Sequence, residues 1–387
     1  MTNALIVHGG APTAVINASL YGAIMEAKKS DKIDHFYAAI GGSGSILTEN
    51  FKDMKEIPDS QLALLPYTPA SAIGTSRDAL EGDDYTAIAK VIDKYDIKYI
   101  FFNGGNGSMD TCGKIYKACK EIGVDVKVVG IPKTIDNDIA VTDHAPGFGS
   151  AARYIAATVS EISQDIRALP IHVSVVEAMG RNCGWITAAS ALSRSGDGDG
   201  PDLIYLPERA FDEDKFLADI ERLWKEKHGG ILVVASEGLR DKSGEPIVEP
   251  IFKVGRATYY GDVSAHLANL VIKKLGIKAR SEKPGIAGRA SIAFQSEVDR
   301  IEAEEAGRAA VRAALDGVTG VMVGFERDST EPYSSHTVLI PIEKVMLEER
   351  VMPDNFINVE GNDVTPEFVE WCKPLIGGEL RKFVTFK

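Results

Sequence analysis

Residues 130–144, GIPKTIDNDIAVTDH, bring Lys133, Thr134, Asp136, Asp138 and Asp143 into one short run. Three carboxylates and an ammonium this close suit a site that takes a proton from a hydroxyl, holds a cation and balances phosphate charge together. A solvated acidic loop is the plainer explanation, but the apolar sequence on both sides of the run counts against it. A second run, FFNGGNGSMD at 101–110, sets Gly104 and Gly105 before Asn106, Gly107 and Ser108, where a helical pattern begins. Ser108 reads as the N-cap, and bare amides at a helix start would suit a phosphate; a tight turn with no ligand fits the same glycines equally well. A third run, VSVVEAMGRNCGW at 173–185, delivers Glu177, Met179, Gly180 and Arg181 to a turn. The guanidinium fork matches phosphate or carboxylate, although an isolated arginine is more commonly a cap or a surface ion pair. Weaker signals are Gly10 in HGGAPTAVIN, Arg77 in GTSR, Glu237 after ILVVAS, Arg280, and Arg289 in KPGIAGRAS.

These residues need elements to hold them. Short apolar runs (ALIVHGG, HFYAAIGG, KYIFFNGG, VKVVGIP, IHVSVVEAMG, LIYLPE, ILVVASEG) end in glycine, proline or a polar turn. That is the pattern of buried parallel strands. Helical patterns at 15–29, 85–94, 109–121, 150–166 and 216–227 lie between them. The fold class is therefore α/β with mostly parallel sheets, and ligands are expected at the carboxyl ends of the strands.

A chain of 387 residues with 44% hydrophobic and 26% charged residues is long enough for two lobes. Its formal net charge of −13 argues against a surface built to bind nucleic acid. The four cysteines have neither CxxC spacing nor paired histidines, so no disulfide framework or zinc site is expected. No segment has the length of a membrane span and MTNALIVHGG is unlike a leader, so the expected compartment is the cytoplasm.

Taken in order, GGAPTAVINAS, GTSR, GGNGSMDT, PKTIDND, TDHAPGFGSAARYIA, VVEAMGRNCGW, ASEG and SEVDR resemble the phosphofructokinase family over nearly the whole chain. The longer bacterial branch, described as pyrophosphate-dependent, is the most similar. The resemblance implies two similar three-layer αβα lobes: 1–147 with 288–336 binding the donor, and 148–287 with 337–387 binding the sugar phosphate. It implies transfer of a phosphoryl group to the carbon-1 hydroxyl of fructose 6-phosphate, with Asp136 as base and Arg77 and Thr134 beside the reacting groups. Gly10, Arg77, Gly105, Asn106, Gly107, Ser108 and Lys133 would hold the donor, and Asn106 and Asp138 a Mg²⁺ ion. Thr134, Asp136, Asp138, Met179, Gly180, Arg181 and Glu237 would meet the sugar, and Arg280 and Arg289 its own phosphate. A homodimer or homotetramer is implied as well.

Five positions mix or depart from the family pattern. ATP-type members have glycine where both Gly107 and Lys133 stand; pyrophosphate-type members have aspartate and lysine. An aspartate at 107 would crowd and repel a nucleotide, so Gly107 favours ATP as donor, with pyrophosphate as the alternative. Asn106 replaces a metal-binding aspartate, His172 an arginine on the acceptor phosphate, and Ile286 a histidine. These changes leave room for another acceptor, such as sedoheptulose 7-phosphate, or for a non-catalytic sugar-phosphate sensor. The GGNG turn also occurs in NAD kinases and lipid kinases, but the MGR and PKTIDND runs count against that reading. GFGSAA at 147–152 matches a dinucleotide fingerprint, yet no strand pattern precedes it.

Overall fold

Every residue of the first strand is buried, which is what a strand covered on both faces requires. In this computed structural model, describing residues 2–196, 199–254, 257–346 and 348–386, the strands follow in chain order. They are β1 (Asn3–His8), β2 (His35–Ala39), β3 (Phe51–Asp53), β4 (Ile97–Gly104), β5 (Lys127–Pro132), β6 (Val173–Ala178) and β7 (Leu203–Tyr205). There follow β8 (Ile231–Ser236), β9 (Pro250–Val254), β10 (Ala257–Tyr260), β11 (Ala279–Glu282), β12 (Val321–Thr330) and β13 (Tyr333–Pro341). The long helices are α1 (Ile16–Lys28), α2 (Gly82–Lys94), α3 (Asn106–Glu121), α4 (Phe148–Ala168), α5 (Glu213–Lys227), α6 (Val263–Leu275) and α7 (Glu297–Leu315).

The chain divides into two compact units, 1–150 with 289–350 and 151–288 with 351–387. The first holds a seven-stranded sheet in the order β13-β12-β5-β4-β1-β2-β3. Its five central strands run parallel, while β3 and β13 pair antiparallel at the edges. Alternation along β1 feeds two cores. Ala4 and Ile6 pack with Leu20 and Ile24 of α1 and Ala306 and Ala310 of α7. Leu5 and Val7 pack on the other face with Ile88 and Ile92 of α2 and Met109, Cys112 and Ile115 of α3. From β1 the chain crosses to β2 on one side and later returns to β4 on the other, so the crevice beyond β1 and β4 is a topological switch point.

The second unit holds an all-parallel sheet, β11-β6-β8-β7, covered by Phe216 and Ile220 of α5 and Leu267 and Val271 of α6. The fold class is the expected one: α/β, two lobes, mostly parallel sheets. The expected lobe boundary at 336/337 needs correction. It falls inside β13, which pairs with β12 along its whole length, Thr337 opposite Phe325, and this keeps the chain in the first unit to Arg350. No helix among the described residues is long and apolar enough to cross a membrane.

Candidate active site

The site is built where β1, β4 and β5 end. Beyond β1, Gly9 N donates to Asn103 O at 3.0 Å and Gly10 N to Ser76 O at 2.9 Å, tying the turn to β4 and to the segment that carries Arg77. Gly10 has a φ of 74°, the left-handed region that glycine occupies without strain. A Cβ on Gly9 or on Gly104 would collide with the Ser108 side chain, so both glycines make room for that hydroxyl. Ser108 itself is not the N-cap. The helix starts earlier, with Gly105 as its cap, and Ser108 N donates to Gly105 O at 2.9 Å inside the first turn. The glycines let the backbone enter the helical turn three residues sooner than the sequence pattern suggests.

Beyond β5, Lys133 N donates to Gly104 O at 3.0 Å, and the buried Lys133 ammonium donates to Ala11 O at 2.6 Å, across the mouth of the first turn. Burial is the strongest influence on this amine and lowers its pKa to about 8; Asp138 and Asp136 oppose the shift, while Arg77 and Arg289 add to it. Thr134 Oγ1 donates to Asp138 Oδ1 at 2.7 Å and accepts from Asp136 N at 3.0 Å, so one hydroxyl spaces the two aspartates. Asn137, between them, turns the chain at a φ of 53°, and its Oδ1 accepts from Ala145 N at 3.1 Å.

A cavity of about 400 Å³ opens on this ground, and Gly10, Arg77, Gly105, Gly107, Ser108, Lys133, Thr134, Asp136 and Asp138 all line it. Nine of the residues singled out in sequence therefore meet at one place in the first unit. The cavity wall also includes Thr13, Ser43, Ser76 and Asp78, which sequence reasoning passed over. Asp78 organises that wall by accepting from Ser43 Oγ at 3.0 Å, from Gly44 N at 2.6 Å and from the Ser76 hydroxyl. A small-residue turn flanking GTSR was the available signal.

Asn106 Nδ2 donates to the backbone and carboxylate oxygens of Asp138, each at 3.1 Å, while its buried Oδ1 has no donor. An orphaned oxygen beside a carboxylate fits a hard cation. Among the described residues no group of three or more His, Cys, Asp or Glu could hold a metal ion, so a cation here would lean on donor phosphates and water. Asp143, expected as a third carboxylate of the site, is instead drawn away by Arg327 Nη2 at 3.0 Å and His144 Nδ1 at 2.8 Å.

In the second unit, Met179, Gly180 and Arg181 follow β6 and Glu237 follows β8. Gly180, at a φ of 114°, donates its amide to Glu237 Oε1 at 3.2 Å, and its carbonyl accepts from Ser236 Oγ at 2.7 Å. Arg181 donates to Thr258 O at 3.2 Å and lies over the Tyr260 ring. Arg280 does not join this group. It sits on β11 opposite Ser174, near the start of β6, and lines a separate cavity of about 340 Å³ with His172, Glu161 and Asp165. His172 is buried with neither ring nitrogen partnered, and burial first, then Arg280, holds its pKa below the ordinary histidine value. Ile286 is exposed. Arg289 belongs to the first unit, where its charge reaches Lys133.

A family model described as phosphofructokinase matches residues 3–314. A pyrophosphate–fructose 6-phosphate 1-phosphotransferase from Rhodospirillum rubrum is 39% identical, the match covering 96% of this chain and 94% of the relative. A sulfofructose kinase from Alkalicoccus urumqiensis is 34% identical over 96% of this chain and 94% of that one. The crystal structure of a pyrophosphate-dependent phosphofructokinase from Nitrosospira multiformis superposes with a TM-score of 0.90 at 35% identity, covering all of this chain and 94% of the other. These pyrophosphate-type relatives overturn the expectation of ATP drawn from Gly107. Gly107 lines the cavity, is exposed, and a Cβ there would have no neighbour within 4 Å, so the glycine leaves room without choosing between the two donors.

Proposed function

The chain belongs to the phosphofructokinase family, and on that premise we propose that it transfers a phosphoryl group from pyrophosphate to the carbon-1 hydroxyl of fructose 6-phosphate. The observation that carries this reading is the convergence of Asp136, Lys133, Arg77 and the two glycine-rich turns on one cavity. The nucleophile is a neutral alcohol and the transferred group is highly anionic, so positioning and charge compensation dominate the chemistry.

In this reading Asp136 accepts the hydroxyl proton as the oxygen attacks the terminal phosphorus, and Thr134 holds Asp136 and Asp138 in register. Lys133 and Arg77 compensate the charge of the donor, and the opening amides of α3 face the same anion, as the start of a helix favours. Lys133 is braced on Ala11, which fixes its charge at the floor of the cavity and suits a compact donor. Asn106 and Asp138 would hold Mg²⁺, whose chemistry is to neutralise and align the phosphates. Met179, Gly180, Arg181 and Glu237 suit a sugar, whereas Arg280 lines a separate cavity and takes no part, and Arg289 adds positive charge near Lys133.

Coupled assays with Mg²⁺ and fructose 6-phosphate, supplying pyrophosphate and ATP in parallel, test the donor. Turnover with pyrophosphate is expected to exceed turnover with ATP. A rate with ATP far above the rate with pyrophosphate would refute this assignment.

A further inference from the structure

The second half of the PKTIDNDIAVTDH run holds a buried charge cluster that the reaction as proposed does not use. The His144 ring is almost fully buried in the first unit. Its Nδ1 lies 2.8 Å from Asp143 Oδ2 and its Nε2 lies 2.7 Å from Glu302 Oε2, on α7. A neutral imidazole carries one proton and would aim a lone pair at one of these carboxylates; only the imidazolium donates to both. Every charged group around the ring is matched. Asp143 also accepts from Arg327, Glu302 Oε1 accepts from Tyr333 Oη and Ser335 Oγ at 2.6 Å each, and Phe325 stacks on the ring at 5.3 Å. Asp299, one turn before Glu302, is engaged elsewhere, accepting from Gly147 N and Ser150 N at 2.8 Å. Arg350 closes the other side by donating to the carbonyls of Thr142 and Asp143.

The cluster is wired to the aspartates of the site. Asp143 N donates to Phe325 O at 2.9 Å, which ties the strip 142–147 to β12. From that strip Ala145 N reaches the Asn137 side chain at 3.1 Å and Pro146 O accepts from Thr134 N at 3.1 Å. Asn137 and Thr134 are the residues that set Asp136 and Asp138. Arg350 N, finally, donates to Asp138 O at 2.8 Å.

We propose that His144, held as an imidazolium between Asp143 and Glu302, is a positioning residue for the reaction: it fixes strip 142–147 and through it the catalytic aspartates. The proposal rests on Asp136 and Asp138 being the reacting and metal-side carboxylates. Burial would push the imidazole down; the charge of Glu302, with hydrogen bonds to Asp143 and Glu302, outweighs it and raises the pKa to about 9. A group raised in the folded state contributes its stabilisation fully below its unfolded value near 6.5 and loses it as pH rises through about 9.

The test compares the full-length protein with His144→Gln and with the milder Asp143→Asn, which keeps an acceptor for Nδ1 but removes a charge. With both substrates saturating at neutral pH, His144→Gln is expected to lose about 100-fold in kcat with KM changed far less, as misplacement of a reacting group by about 1 Å does. In Asp143→Asn the alkaline limb of kcat moves to lower pH. A readout independent of turnover accompanies these: ¹⁵N spectra should show both His144 nitrogens protonated at pH 7.5, and hydrogen exchange across 134–147 should accelerate at least tenfold in His144→Gln. Folded variants with unchanged kcat, pH profile and exchange, or a singly protonated His144, would overturn the proposal. Protonation and exchange as expected, without turnover on pyrophosphate and fructose 6-phosphate, would leave the clamp standing and place the error in the substrate assignment.

Discussion

At the scale of single residues, the site depends on a lysine that costs free energy to bury. Lys133 sits at the floor of the cavity, braced on Ala11 O, with its pKa lowered to about 8 chiefly by burial. The unliganded protein therefore loses this charge as pH rises through about 8, and the kcat/KM for pyrophosphate should fall over the same range. Lys133→Met should abolish that limb and lower kcat/KM for the donor by about ten- to a hundredfold, the worth of a hydrogen bond to a charged group. An unaltered profile in Lys133→Met, measured by initial rates across pH, would remove the lysine from donor binding. This limb is distinct from the His144 limb, which belongs to kcat at saturation. Residue types made the run 133–138 legible in the sequence, because carboxylates, a lysine and a threonine so close together between apolar stretches have few other uses. The fate of Asp143 was not legible, since its partners Arg327 and His144 compete for it and one of them is distant in the chain.

At the scale of elements, what was legible followed from local rules and what was not followed from partners far away. All seven apolar runs became strands, because side chains buried on both faces leave an unbroken apolar signature. Four of the five expected helices, all but α1, start two to three residues early relative to the sequence pattern: α5 begins at Glu213 because Asp212 caps it, its side chain accepting from Lys215 N. Edge hairpin β12–β13 was missed, since only five of its nineteen positions are buried and its register is set by its partner strand. The α1–α7 contact was also invisible. A Cβ on Gly22 would collide with Glu304 O, and one on Gly307 with Ser19 O, so the two helices touch backbone to backbone. Gly307→Ala should gain helix propensity yet lose about 1–3 kcal/mol overall by overpacking, seen as a lower midpoint in urea. A midpoint at or above that of the wild type would show that the helices can part without cost.

At the scale of the whole molecule, the parallel sheets and strand-end loops were readable from periodicity, the two lobes from length, and the family from the order of its motifs. The donor was misread because one residue, Gly107, was weighed above the likeness of the whole chain to pyrophosphate-type relatives, and a glycine that leaves room does not by itself choose a donor. The account as a whole stands on Asp136, which lines the cavity together with Lys133 and Arg77. Its most direct test is turnover of Asp136→Asn with saturating fructose 6-phosphate and magnesium pyrophosphate, beside calorimetric binding of the sugar phosphate. The predicted result is a loss of about 10²–10⁴-fold in kcat with acceptor binding within a few fold of the wild type. Turnover at the wild-type rate would contradict the account.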